Sequence, residues 1–114
     1  MNLDDILGDP VVFGEFVRDP KRLPAWAWLY TAESGPVTFS TLCRSTLVDS
    51  RELSEAECDL RDEALVQRGF RCVVSRSQIE DITSNLRYRF PNPTDGQIQE
   101  AVRFYLAHDA FIVT

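Results

Sequence analysis

Histidine occurs once in this 114-residue chain, at His108, and that scarcity removes most metal and imidazole chemistry. A zinc site needs three or four cysteine, histidine or carboxylate ligands at suitable spacing. Cys43, Cys58 and Cys72 are odd in number, lie far apart and form no Cys-x-x-Cys pair. They supply neither a zinc pattern nor a disulfide framework, so buried free thiols in a reducing compartment are expected. Glycine is equally sparse. The five glycines (8, 14, 35, 69 and 96) all stand alone, whereas phosphate-binding and dinucleotide loops need clustered glycine. No Gly-x-Ser-x-Gly elbow is present to serve a serine nucleophile. The longest apolar run, Ala25 to Ala32, has the length of a strand, not the roughly 18–20 residues that span a bilayer. A basic-then-apolar secretory leader is missing as well, because the chain opens Met1-Asn2-Leu3-Asp4-Asp5. Cytoplasmic residence is the default expectation.

What is abundant is negative charge in one place. The net charge is −6, and Asp49 to Glu63 carry seven carboxylates against two arginines, a local −5. Residues 1–19 contribute −4, while residues 20–48 and 64–114 are slightly basic at +2 and +1. With 44% hydrophobic and 26% charged residues the chain is globular in composition and of single-domain length. Nucleic-acid binding is disfavoured, since phosphate contacts require a basic face. A dense patch of one sign suits a positively charged protein partner.

Local signals give an α+β reading with a small mixed or mainly antiparallel sheet and three or more packed helices. Asn2 can cap a short helix through Leu7, and Pro10 opens a second over Val11 to Arg18. Trp26 to Tyr30, apolar on both faces, reads as a central strand. Its aromatic stripe Trp26, Trp28 and Tyr30 is expected to pack in the core. Glu33-Ser34-Gly35-Pro36 is a turn, and Val37 to Val48 continues as one long or two short strands. Ser54-Glu55-Ala56-Glu57 has capping-box spacing and starts a helix ending near Arg68, with Gly69 at its C-terminal cap. At 100° per residue, Leu53, Ala56, Leu60 and Ala64 form its buried stripe, and Glu55, Asp59 and Asp62 face out. Phe70 to Ser75 reads as a strand with Phe70, Cys72 and Val74 on one face. Ser77-Gln78-Ile79-Glu80 opens a helix with Ile79, Ile82, Leu86 and Phe90 inward, stopped by Pro91 and Pro93. Thr94-Asp95-Gly96-Gln97 opens a last helix with Ile98, Ala101, Val102 and Tyr105 inward. Ala110 to Val113 is a short terminal strand.

Each candidate for chemistry has a plainer alternative. His108 sits at a helix end, where an imidazole commonly binds a terminal carbonyl. Adjacent acids such as Asp62-Glu63 and Glu80-Asp81 point in different directions on a helix, so solvent-facing charge outweighs acid–base catalysis. No catalytic, cofactor or metal residues are assigned. The acidic helix face is an ordinary solvated surface or a binding surface. Its like-charged pairs oppose folding by only a few tenths of a kcal/mol each, a small penalty for a surface that meets cations.

Three stretches resemble a family of small bacterial proteins: Leu23-Pro24-Ala25-Trp26-Ala27-Trp28-Leu29-Tyr30, the strand Phe70 to Ser75 leading into Gln78-Ile79-Glu80-Asp81-Ile82, and Tyr105-Leu106-Ala107-His108-Asp109-Ala110-Phe111-Ile112. Some members of that family are immunity proteins of contact-dependent growth-inhibition systems. The resemblance implies a non-enzymatic cytoplasmic inhibitor that binds the C-terminal domain of a cognate toxin, commonly a basic nuclease. It touches neither nucleic acid nor membrane directly. On that expectation Glu55, Asp59 and Asp62 lead the partner-binding set, followed by Glu52, Glu57, Asp49 and Glu63. The alternative is an adaptor or regulatory domain for a basic protein without toxin context.

Overall fold

A computed structural model describes residues 2–108. Among them are five α-helices and a four-stranded antiparallel sheet, the α+β class expected from the sequence. The helices are α1 (Leu3–Ile6), α2 (Phe13–Arg18), α3 (Glu55–Gln67), α4 (Arg76–Arg87) and α5 (Asp95–His108). The strands are β1 (Val11–Val12), β2 (Trp28–Thr31), β3 (Leu42–Ser45) and β4 (Arg71–Ser75). Strand order is β1-β3-β2-β4, so β2 is central, as its two-sided apolar sequence requires. The expected terminal strand from Ala110 lies outside the described residues. Val37 to Val48 yields one four-residue strand, and Val11 and Val12 pair with β3 before α2 begins.

The sheet is covered on both faces, because successive side chains along β2 point to opposite sides. Leu29, Cys43, Val73 and Val74 pack with Phe13, Phe16, Ile79, Ile82, Leu86 and Val102 in the main core beneath α2, α4 and α5. On the other side, Tyr30 packs with Ile6, Leu7 and Leu65, which belong to α1, its C-terminal cap and α3. The aromatic stripe is split: Trp26 packs against the edge of the main core and Tyr30 against the second cluster, both partly buried, and Trp28 is exposed. Ala27, Leu29 and Thr31 are the buried residues of that segment, while Trp28 is 38% exposed. α1 and α3 cover Tyr30 and leave Trp28 partly open.

Capping chemistry sets the helix starts. Asn2 accepts from the Asp4 backbone N–H. Ser54 accepts from Glu57 N–H at 3.1 Å while Glu57 accepts from Ser54 N–H at 3.0 Å, the reciprocal box that satisfies two otherwise orphaned donors. The box at α4 is formed by Ser75 and Gln78, not by Ser77. Ser77 already lies inside the helix. Thr94 and Gln97 close the third box at 3.1 and 2.9 Å. The buried positions of α4 are Ile79, Ile82, Thr83 and Leu86, and Phe90 falls beyond the helix end. In β4 the register against β2 shifts between Trp28 and Tyr30. That irregularity lets Val73 and Val74 both be buried and leaves Cys72 exposed, overturning strict alternation from Phe70.

The rotation of α3 differs from the expected one. Leu65 is buried, whereas Leu60 is 58% and Val66 72% exposed. Ala56 is also exposed, with Leu53 and Ala64 half-buried. The cause lies at the helix end. Gly69 has φ +80°, its N–H bonds Val66 O at 3.0 Å, and Phe70 N–H bonds Leu65 O at 2.9 Å. This paired closure is a Schellman motif, which brings the residue after the glycine against the third residue before the cap. Phe70 and Leu65 accordingly share the second cluster. The turn into β4 clamps Leu65 inward, and Leu60, five residues earlier and 140° away around the helix, is carried outward.

Candidate protein-binding face

With Leu65 inward, Glu55, Asp59 and Glu63 (i, i+4, i+8) make a row along the outward face of α3. All three are exposed. Ala56, Leu60 and Val66 are exposed beside them, so the face mixes carboxylates with apolar side chains. Asp62 occupies a flank instead. Its carboxylate accepts from Arg61 Nε at 3.4 Å, and it lies close enough to Tyr30 to help hold that phenol in its protonated form.

The other acids of the block divide by role. Asp49 is buried and caps the short 3₁₀ turn Ser50–Glu52. It accepts from the Arg51 backbone N–H at 3.0 Å and from Arg51 Nε and Nη2 at 2.9 and 2.7 Å. The Arg51 side-chain hydrogen bonds hold its carboxyl below the usual range, and its charge is cancelled locally. Glu57 is exposed, but one of its oxygens is committed to the capping box, where the Ser54 N–H lowers its pKa. Glu63 accepts from Gln67 Nε2 at 3.2 Å. Among the described residues Glu52, Glu55 and Asp59 make no ion pair. Of the seven carboxylates expected to bind, Asp49 is thus internal structure and Asp62 is partly neutralised.

Beneath α3 lies a polar cluster that no sequence pattern announced. The Arg61 side chain is 11% exposed and donates to Ser50 Oγ at 3.1 Å through Nη2. Its Nη1 is buried with no hydrogen-bond partner, an uncommon and unfavourable state for a charged donor. Tyr30 and Cys72 interact with each other nearby, and although Cys72 is exposed as a residue, the packing around its sulfur pushes the thiol up. Cys58 is half-buried and Cys43 fully buried, so two of the three expected buried thiols are not fully enclosed.

Burial pushes the Tyr30 phenol from 10.0 up to about 12 and the Cys43 thiol from 9.0 up to about 12. Both groups are neutral when protonated, and both titrate higher in the folded chain than in the unfolded one. Their contribution to stability is therefore complete below pH 9 and is lost as the pH rises from 9 toward 12. A thermal midpoint that declines over this range, with a shallower decline in a Tyr30→Phe/Cys43→Ala variant, is the expected result. An identical decline in that variant would refute the assignment.

Two of the concavities among the described residues bear on this face and on the expected core. A groove of about 460 Å³ runs between α4 and α5, with Ile82, Leu86 and Ala101 in its floor and Asn85, Arg89 and Glu100 among its polar lining. Phe90, expected in the core, lines this groove at 39% exposure. A smaller socket of about 190 Å³ lies between α1 and the start of α3. His108 packs against Phe104 in a tilted arrangement, with ring centroids 4.4 Å apart and planes at 43°, and Asp109 lies outside the described residues. Among the described residues no group of three or more histidine, cysteine or acidic side chains is placed to hold a metal ion. No described helix is long and apolar enough to cross a membrane.

Residues 10–114 match the family described as Domain of unknown function (DUF7716). The chain belongs to that family. The match takes in β1 through α5 and begins after α1. No curated protein and no solved structure matches the chain. Within this DUF7716 chain the acidic face of α3 lies wholly inside the matched region, whereas Asp5 and Ile6 of the socket lie outside it.

Proposed function

We propose that this protein is an immunity protein that binds the toxin domain of a contact-dependent growth-inhibition system in the cytoplasm and blocks it by occlusion. The observation that carries the reading is the outward face of α3, where Glu55, Asp59 and Glu63 stand in a row beside exposed Leu60 and Val66. Leu60 at 58% and Val66 at 72% exposure add apolar contact area beside these acids. Apolar side chains among charges of one sign combine contact area with electrostatic steering. A nuclease toxin offers a basic cleft, in which carboxylates can occupy the positions of substrate phosphates. The chain itself performs no chemistry in this reading.

Co-expression with the product of the neighbouring gene, which this reading expects to carry a toxin domain, tests it. Restored growth and a stable complex on size-exclusion chromatography are expected. Growth arrest despite abundant folded protein would refute the immunity role. A non-toxic neighbouring product would leave the adaptor reading, in which the same face meets another basic protein.

A further inference from the structure

The socket beside α3 suggests how a basic partner is gripped, an inference that rests on the function proposed above. Its lining is Ile6 from α1, Val48, Leu53 and Arg61, with Asp5 and Glu57. Ile6 is 5% exposed and Val48 37%, so the socket has a covered apolar floor and an accessible apolar wall. Its volume of about 190 Å³ is below the roughly 300–1,000 Å³ of small-molecule sites. One side chain fits it better than a cofactor does.

The charges define which side chain. Asp5 and Glu57 are exposed, so their carboxylates stand toward solvent at the mouth. Glu57 has one oxygen engaged with the Ser54 N–H, and no ion pair to either carboxylate occurs among the described residues. Arg61, by contrast, is positive and covered, and it forms part of the wall. A cation pushed inside would meet that guanidinium at low dielectric and be repelled. A cation held outside would meet only carboxylates. An apolar group inside buries surface against Ile6, Val48 and Leu53 and meets no like charge, the added desolvation of Arg61 being its one cost.

We propose that the socket is a docking site for a single apolar side chain of a basic protein partner, flanked in the partner by lysine or arginine residues that meet Asp5 and Glu57. Anchors of this kind, seated in a small pocket and ringed by polar contacts, carry most of the affinity of an interface. The exposed Leu60 lies one turn beyond Glu57 and extends the apolar contact toward the outward face of α3.

Methyl NMR on the full chain tests the site with acetylated, amidated peptides. An Arg-Arg-Leu-Arg-Arg peptide is expected to shift the methyl signals of Ile6, Val48 and Leu53. An Arg-Arg-Ala-Arg-Arg peptide should bind at least about tenfold more weakly, because the anchor methyls are gone. A Glu-Glu-Leu-Glu-Glu peptide should give no shifts. Equal affinity for the leucine and alanine peptides, or shifts confined to the α4–α5 groove, would overturn the socket. Val48→Phe, at a site open enough to keep the fold, should fill it and abolish the leucine peptide's shifts. The same variant separates the two proposals when the co-expressed toxin domain is used. Full neutralisation by Val48→Phe overturns the socket and leaves the immunity role standing. Failure of the unaltered chain to neutralise, with peptide shifts at Ile6, Val48 and Leu53 intact, overturns the immunity role and leaves the socket.

Discussion

Replacing Leu65 by alanine is expected to destabilise the chain by about 3 kcal/mol, whereas Leu60→Asp should change stability by less than about 0.5 kcal/mol. The contrast follows from burial. Leu65 is 1% exposed and packs against Ile6, Leu7, Phe70 and Tyr30, while Leu60 is 58% exposed. Leu65 is the buried residue of α3, so truncating it removes transfer energy and leaves a cavity between helix and sheet. The loss should also be local. Amide hydrogens of α3 should exchange faster in Leu65→Ala, with less change in β2, whose other face is held by the main core. Urea denaturation and hydrogen exchange measure both effects. A Leu60→Asp penalty above 2 kcal/mol with a tolerated Leu65→Ala would restore the helix phase read from the sequence and remove the face described above.

The second large effect concerns binding. If the proposed toxin domain is the partner, reversing Glu55, Asp59 and Glu63 together to lysine should slow association with it by about two to three orders of magnitude at low salt. The difference from the unaltered chain should shrink toward physiological ionic strength, since exposed charges are screened over about 8–10 Å. Asp62→Lys alone should do far less, because that carboxylate lies on the flank beside Arg61. All three reversed residues are exposed and none of them caps a helix, so the variant should fold. Stopped-flow association rates over a salt series decide the matter. A triple variant with unchanged rate and salt dependence would exclude the outward face from the encounter.

Much of the architecture was legible because it rests on local chemistry. The cap at Asn2, the boxes at Ser54/Glu57 and Thr94/Gln97 and the glycine after α3 depend on residues within a few positions of one another. The central place of β2 followed from an apolar run with no polar face. The inward positions of α5 were read correctly because Ala101 and Val102 fall on one side of a regular helix. Two expectations failed for different reasons, one local and one set by the partner strand. Ser75 and Ser77 each precede a residue able to complete a box, and the strand end at Ser75 selected the first. The alternation expected in β4 failed at a register shift that depends on its partner strand.

The candidate face was legible in composition and not in orientation. By itself the sequence determined that one short segment carries most of the charge, that a capped helix begins at Glu55, and that the outer turns of this helix are acidic. It could not decide the rotation of α3, because Leu60, Leu65 and Val66 point in three directions around the axis and no one stripe dominates. Tertiary structure decided it through the Leu65–Phe70 closure at Gly69, which placed Glu63 in the outward row and moved Asp62 to the flank. Only the packing of α1 against α3 created the socket, since its walls come from residues more than forty positions apart in the chain. A helix with a weak apolar preference takes its facing from whatever clamps its ends, and that information lies outside the helix.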